Sequence, residues 1–314
     1  MRALLQGSWG GAADMRLVDV GVPGVGDGEV LVRVGAAGVN FADVMRARGT
    51  YDGGPVAPYL AGFEAAGEVV AVGRGVSGVG VGDHVVGTGD GAFAEYMVMG
   101  DFVPVPVGWR DEEALGLVLN WATALGALRS LGRVKAGDTV LINAAAGGVG
   151  QAAVRIAKYY GATVIASASA SKHDVVRGLG ADRVVETADL AAVASGSVDV
   201  VLESVGGETF RRSVELACRV TGKVIVIGLA AGEASISNWE LNFRHPVQVI
   251  GHHLTTFIQQ APELFADVMA ELGRLIDAGV YPPGTPTVYD LADGPKVLAE
   301  LEAGVTVGKL ALRP

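Results

Sequence analysis

Cysteine is almost missing from this chain. Cys218 is the one such residue in 314, which excludes an intrachain disulfide and a cysteine-built zinc cluster. Runs of lysine and arginine are missing as well: 24 basic residues stand against 34 acidic ones, a formal charge of −10. Neither nucleic acid nor an anionic membrane surface finds the basic stripe it needs. No uninterrupted apolar run reaches about 18 residues, and the opening MRALLQGSWGG has an apolar core of only three residues. No membrane span and no export signal are expected, and a reducing cytoplasm suits the cysteine count. Aromatic residues are scarce at 6%, yet half of the chain is apolar, enough for a sizeable core. At this length two domains are the natural expectation.

What is abundant is glycine, 47 residues, placed at the ends of short Val-rich segments where positive φ is needed. From Met1 to about Trp109 these segments (GEVLVRVGAAG, GEVVAVG, GDHVVGTG, AEYMVMG) read as a β-rich, barrel-like domain. From Asp111 the period turns helical, and apolar strands then alternate with helices. Strands are predicted at Thr139 to Asn143, Thr163 to Ala168, Arg183 to Val185, Asp199 to Glu203, Lys223 to Ile227 and Val247 to Gly251. Such alternation predicts a doubly wound, mostly parallel sheet. The tail after Thr255, ending in GKLAL, is expected to return to the first domain. The predicted division is 1–115 with 256–314, and 116–255.

The strand TVLIN runs into Ala145-Ala146-Gly147-Gly148-Val149-Gly150, and a helix starts at once. A tight strand-to-helix turn points backbone amides and the positive end of a helix at a pyrophosphate. Ala146 to Gly150 are therefore candidate cofactor contacts, with side chains at Gly147 or Gly150 expected to obstruct the approach. About 20 residues beyond the first glycine position an NAD-binding fold presents a carboxylate to the adenosine ribose. Here that place falls on Ser167, and no carboxylate arrives before Asp174; Ser167, Ser169 and Lys172 stand there instead. Hydroxyls and an ammonium suit a 2′-phosphate, which predicts NADPH. The same serines also suit the start of the next helix.

On GEVLVRVGAAGVNFADV, AGFEAAGEVVAVG, GDHVVG, AAAGGVG, SVGGETF and VGKLAL, essentially the whole chain resembles the zinc-independent, quinone-oxidoreductase-like branch of the medium-chain dehydrogenase/reductase superfamily. The resemblance implies an α/β fold with a Rossmann doubly wound parallel sheet and a GroES-like β-rich catalytic domain. It also implies an active site in the cleft between them, and commonly a homodimer. Zinc-dependent members carry a cysteine and a G-H-E histidine where this chain has Asn40 and Phe63, and neither offers a thiolate or imidazole. Hydride transfer from a nicotinamide to a small conjugated carbonyl, a quinone, an enone or an enoyl thioester, is then the implied chemistry.

Asn40, Asp43 and Tyr51 match the substrate-lining segment. Tyr51 is a candidate proton donor or a turn tyrosine, and Asn40 a positioning group or a helix cap. Thr123, Gly228, Asn242 and Lys309 resemble positions on the cofactor side. SASASKHD has the spacing of polyketide enoyl reductases, which keeps enoyl-thioester reduction as an alternative. A non-catalytic NADPH-binding sensor or structural protein is the alternative from another class.

Overall fold

Alternating valine and alanine make the first part of the chain a series of antiparallel strands. The computed structural model describes residues 1–314. Its opening elements are β1 (Arg2–Gln6), β2 (Met15–Asp19), β3 (Val30–Val39), α1 (Phe41–Ala47), β4 (Tyr59–Leu60), β5 (Glu64–Val72), β6 (His84–Thr88), β7 (Tyr96–Met99), β8 (Asp101–Pro104) and α2 (Asp111–Ala114). β1 lies between β2 and β4 in a three-stranded sheet, while β3, β5, β6, β7 and β8 belong to a second, seven-stranded sheet. The β3–β5 pair slips register near Val34. There Gly67 approaches so closely that a Cβ would lie 2.1 Å from the Arg33 carbonyl oxygen, so no side chain fits at the bulge. Val30, Val32, Val69, Val85, Phe93 and Met97 fill the core beneath this sheet.

The second set begins with α3 (Ala122–Leu125), β9 (Thr139–Ile142), α4 (Gly148–Tyr159), β10 (Thr163–Ser167), α5 (His173–Gly178), β11 (Arg183–Val185) and β12 (Val200–Glu203). It continues with α6 (Gly207–Leu216), β13 (Lys223–Val226), β14 (Gln248–Gly251), α7 (Leu254–Gln260) and α8 (Pro262–Asp277). Its six strands are all parallel, in the order β11-β10-β9-β12-β13-β14. This is the doubly wound order of dinucleotide-binding sheets, with the chain reversing direction across the sheet on either side of β9. Each predicted strand is found within one residue of its expected ends. The stretch Asp111–Leu131 is helical throughout most of its length and is long and apolar enough to cross a membrane, with 61% of its apolar window buried inside the protein.

The chain closes with β15 (Thr287–Asp290), α9 (Gly294–Glu302) and β16 (Leu310–Arg313), and β16 pairs with β3. Two compact units result, Met1–Val118 with Pro283–Pro314, and Leu119–Pro282. The return to the first unit therefore comes later than the expected residue 256. The reason is α8, whose Val268, Leu272 and Leu275 are buried at helical spacing. The Trp121 and Tyr281 rings also stack in the second unit, 3.8 Å apart between centroids.

Candidate functional site

In the second unit, β9 delivers Asn143 to a turn in which Ala144 takes the left-handed conformation (φ 49°) and Gly147 caps α4. The first-turn amides of α4 have no partner within the helix. Gly147 and Gly150 serve different ends. A Cβ on Gly147 would meet only the Ala144 carbonyl oxygen at 3.4 Å, so that face is open. On Gly150 it would lie 2.4 Å from the same oxygen and 2.6 Å from the Ala145 Cα. The expected obstruction at Gly150 is thus to the turn's own packing and not to a ligand. Gly148 lies against the Asn120 amide, and Ala146 is buried.

At the end of β10, Ser167 is fully buried and its hydroxyl donates to Asn143 Oδ1 at 2.9 Å. It faces inward, which removes it from the groups able to meet an anion outside the sheet. Ser169 is exposed at the start of the single turn Ala170–Lys172. Half-buried Lys172 immediately precedes α5, and desolvation lowers its ammonium pKa. Across the sheet, Gly228 follows β13, where a Cβ would lie 3.0 Å from the Ser204 carbonyl oxygen. Thr123 sits half-buried in α3, and its backbone faces His252, whose imidazole is pushed down to about 4, chiefly by burial. Asn242 is exposed on the segment Glu240–Arg244, and no hydrogen bond ties it to the glycine turn.

In the first unit, Asn40 stands at the N-cap of α1, where its N–H donates to Asp43 Oδ2 at 2.8 Å. Its side-chain amide donates to Gly38 O (3.2 Å) and Glu64 Oε2 (2.9 Å), and its Oδ1 accepts from Lys309 Nζ at 2.7 Å. Lys309 also pairs with Glu64, which is fully buried and accepts the Gly116 N–H at 2.6 Å. Asp43 is 4% exposed. Burial pushes its carboxyl up to about 7, against the pull of the Asn40 N–H, Arg46 and Lys309. Arg46 lies over the Phe63 ring at 5.0 Å and reaches Asp90 at 2.6 Å. Nearby Tyr59 is pushed up to about 12, mainly by burial, and lines with Asp90 and Tyr96 a cavity of about 290 Å³. Tyr51 is half-buried in a turn closed by Gly54 N–H on its carbonyl at 3.1 Å.

Residues 26–107 match the family model of the alcohol dehydrogenase GroES-like domain, and residues 179–312 that of zinc-binding dehydrogenases. A mycobacterial protein, Rv1454c, solved in complex with NADPH, superposes with a TM-score of 0.92 at 32% identity, covering 100% of both chains. The chain belongs to the medium-chain dehydrogenase/reductase superfamily. Escherichia coli quinone oxidoreductase complexed with NADPH has a TM-score of 0.90 at 28% identity, again over 100% of both chains. The polyketide synthase GfsB of Streptomyces halstedii is 33% identical over 91% of this chain, which spans 5% of that synthase's length.

The superfamily includes zinc enzymes, but the donor set here does not fit the metal. Asn40 offers its Oδ1 to an ammonium, Phe63 offers a ring face to Arg46, and Lys309 already neutralises Glu64. No three His, Cys, Asp or Glu side chains converge elsewhere. Lys309, expected on the cofactor side, is held by Asn40 and Glu64 within the first unit. Asn40 likewise has both amide donors engaged internally. Glu64, Tyr59 and Glu203, buried or half-buried in these regions, were not singled out by any motif. Glu203 carried a usable signal, an acid closing the apolar strand VDVVLE, as did Asn143 closing TVLIN.

Proposed function

We propose that the protein is an NADPH-dependent oxidoreductase that transfers hydride, without zinc, to a quinone or another conjugated α,β-unsaturated carbonyl. The end of β10 carries the cofactor half of this reading: where an NAD-binding sheet presents a carboxylate, this chain has Ser167 turned inward and Ser169 and Lys172 beyond it. The NADPH bound to the two solved relatives supports the same reading. The cofactor supplies the hydride. The first-turn amides of α4, at the open face of Gly147, hold the pyrophosphate, Ser169 and Lys172 hold the 2′-phosphate, and Gly228 leaves room for the nicotinamide end.

Asp43 and Tyr51 serve the acceptor side. Asp43, pushed to about 7, keeps a transferable proton at neutral pH, and Tyr51 contributes a hydroxyl to the developing enolate. Asn40 positions Asp43 through its N–H. A steady-state panel of NADPH against NADH, with a quinone, a small enone and an enoyl thioester, tests the reading. NADPH oxidation by a quinone or enone is expected. Tight NADPH binding with no turnover of any acceptor would overturn it in favour of a sensor or structural role.

Enoyl-thioester reduction is a second reading, favoured by the polyketide synthase relative. A homodimer in the cytoplasm, acting on a small molecule, completes the proposal. Strand β14, at the open edge of its sheet, offers the unpaired backbone groups that a second copy could meet.

A further inference from the structure

The carboxyl ends of β9 and β12 meet on one buried acid, and the end of β10 joins them through Asn143. Glu203 is fully buried. Its Oε2 accepts from Asn143 Nδ2 at 2.7 Å and Ser213 Oγ at 2.5 Å. Its Oε1 accepts the backbone N–H groups of Val205 at 2.7 Å and Gly206 at 2.9 Å. All four donors are neutral. A wholly buried carboxylate without a cation is costly, yet an apolar residue at that strand end would take the acceptor from all four donors. What the carboxylate adds is direction: Oε2 holds Asn143 at the glycine turn, and Oε1 holds the Val205–Gly206 loop.

Asn143 opens the glycine turn, and its Oδ1 takes the Ser167 hydroxyl at 2.9 Å, fixing the end of β10 from which Ser169 and Lys172 follow. The Ala145 N–H donates to the Ser167 carbonyl at 2.9 Å, closing the same link through the backbone. On the other side, Val205 and Gly206 form the loop leading into α6. That loop binds the segment after β13 through Ala230 N–H to Ser204 O (3.2 Å), Ala231 N–H to Val205 O (2.6 Å) and Gly207 N–H to Gly232 O (3.1 Å). Gly228 lies against Ser204 in the same place. One carboxylate therefore joins the pyrophosphate turn, the adenosine side and the nicotinamide side.

We infer that Glu203 is a positioning residue for the dinucleotide, holding all three segments of the cofactor site in register with one another. The inference rests on the NADPH reading above. It differs in kind from the role of Lys172, which touches one phosphate. Removing Glu203 frees Asn143, Val205 and Gly206 together, so it weakens any dinucleotide, with or without a 2′-phosphate.

Calorimetric titration of the full-length protein with NADPH and with NADH tests this. Glu203→Ala is expected to raise Kd for both cofactors by about 10- to 100-fold, as loss of hydrogen bonds to a charged group implies, and to lower kcat at saturating cofactor. Glu203→Gln keeps an acceptor for the Val205 and Gly206 N–H groups, and the Asn143 amide can turn over to meet its new NH2. It is expected to bind within about threefold of wild type. Folded Glu203→Ala protein that binds both cofactors within about twofold of wild type, with only its Tm lowered, overturns the inference. So does a loss confined to NADPH.

Should Glu203→Ala not fold, Ser213→Ala decides, since it keeps Glu203 and removes only the hydroxyl that donates to Glu203 Oε2 and accepts from Asn143 Nδ2 at 2.9 Å. Weakening of both cofactors by about 2- to 10-fold supports the inference and unchanged binding overturns it. Wild-type protein that binds neither cofactor overturns the NADPH reading and this one with it. Wild-type binding with unaffected variants overturns this one alone.

Discussion

At the scale of single residues, two ionisable groups, Lys172 in the second unit and Asp43 in the first, carry separate predictions. In the proposed function Lys172 carries cofactor choice, so Lys172→Ala is expected to raise KM for NADPH by roughly 10- to 100-fold, from about 1.5 to 3 kcal/mol of charge-assisted hydrogen bonding. KM for NADH should scarcely move; equal changes for both would refute the assignment. Asp43 carries a pH signature. Its folded pKa of about 7 lies above the ordinary aspartate value of 3.8, so between those values the folded state keeps a proton that the unfolded state has lost. Its contribution to stability is therefore unpenalised below about pH 4, declines as pH rises through the window, and stays low above about pH 7. Asp43→Asn removes this titration. Thermal unfolding followed from pH 4 to 8 should show the variant gaining on wild type by several kcal/mol across the window. A constant difference between the two would sink the idea. Asp43 was singled out from VNFADV. Its electrostatic setting was not, because Lys309 and Glu64 reach Asn40 from 269 and 24 residues away.

At the scale of elements, the turn between β9 and α4 holds two glycines whose necessity differs. Gly150→Ala drives a Cβ into the backbone of Ala144 and Ala145, 2.4 to 2.6 Å away. Differential scanning fluorimetry should find it destabilised by about 1 to 3 kcal/mol or more. Gly147→Ala has ordinary contact distance and should keep the wild-type Tm, while raising KM for NADPH by crowding the open face of the helix end. Ala144, an L-residue at φ 49°, is strained, and Ala144→Gly should recover about 1 kcal/mol in the same assay. The glycine pattern was plain in the sequence. The division of labour within it was not, since a clash depends on which backbone atoms come near, and spacing alone does not give that.

At the scale of the whole molecule, the proposed homodimer predicts a solution mass of about 64 kDa, twice the 32.0 kDa of one chain. Light scattering behind a sizing column measures this directly, and a single-chain mass would refute the proposal. Exposed Trp239 and Phe243 sit close to each other on the segment leading toward β14, their rings 5.9 Å apart. Apolar surface of this kind near a sheet edge suits burial by another chain.

By itself the sequence determined the six parallel strands and their glycine turn, the β-rich first unit, and the missing zinc donors. Each is a local matter: buried parallel strands are short apolar runs between turn residues, and a ligand is either present at its motif or not. Tertiary structure alone decided that α8 stays with the second unit, that Ser167 turns inward, that Lys309 neutralises Glu64, and that Glu203 ties the end of β9 to the loop after β12. A buried polar atom must be satisfied by whichever partner the fold brings near, and those partners lie tens to hundreds of residues away along the chain.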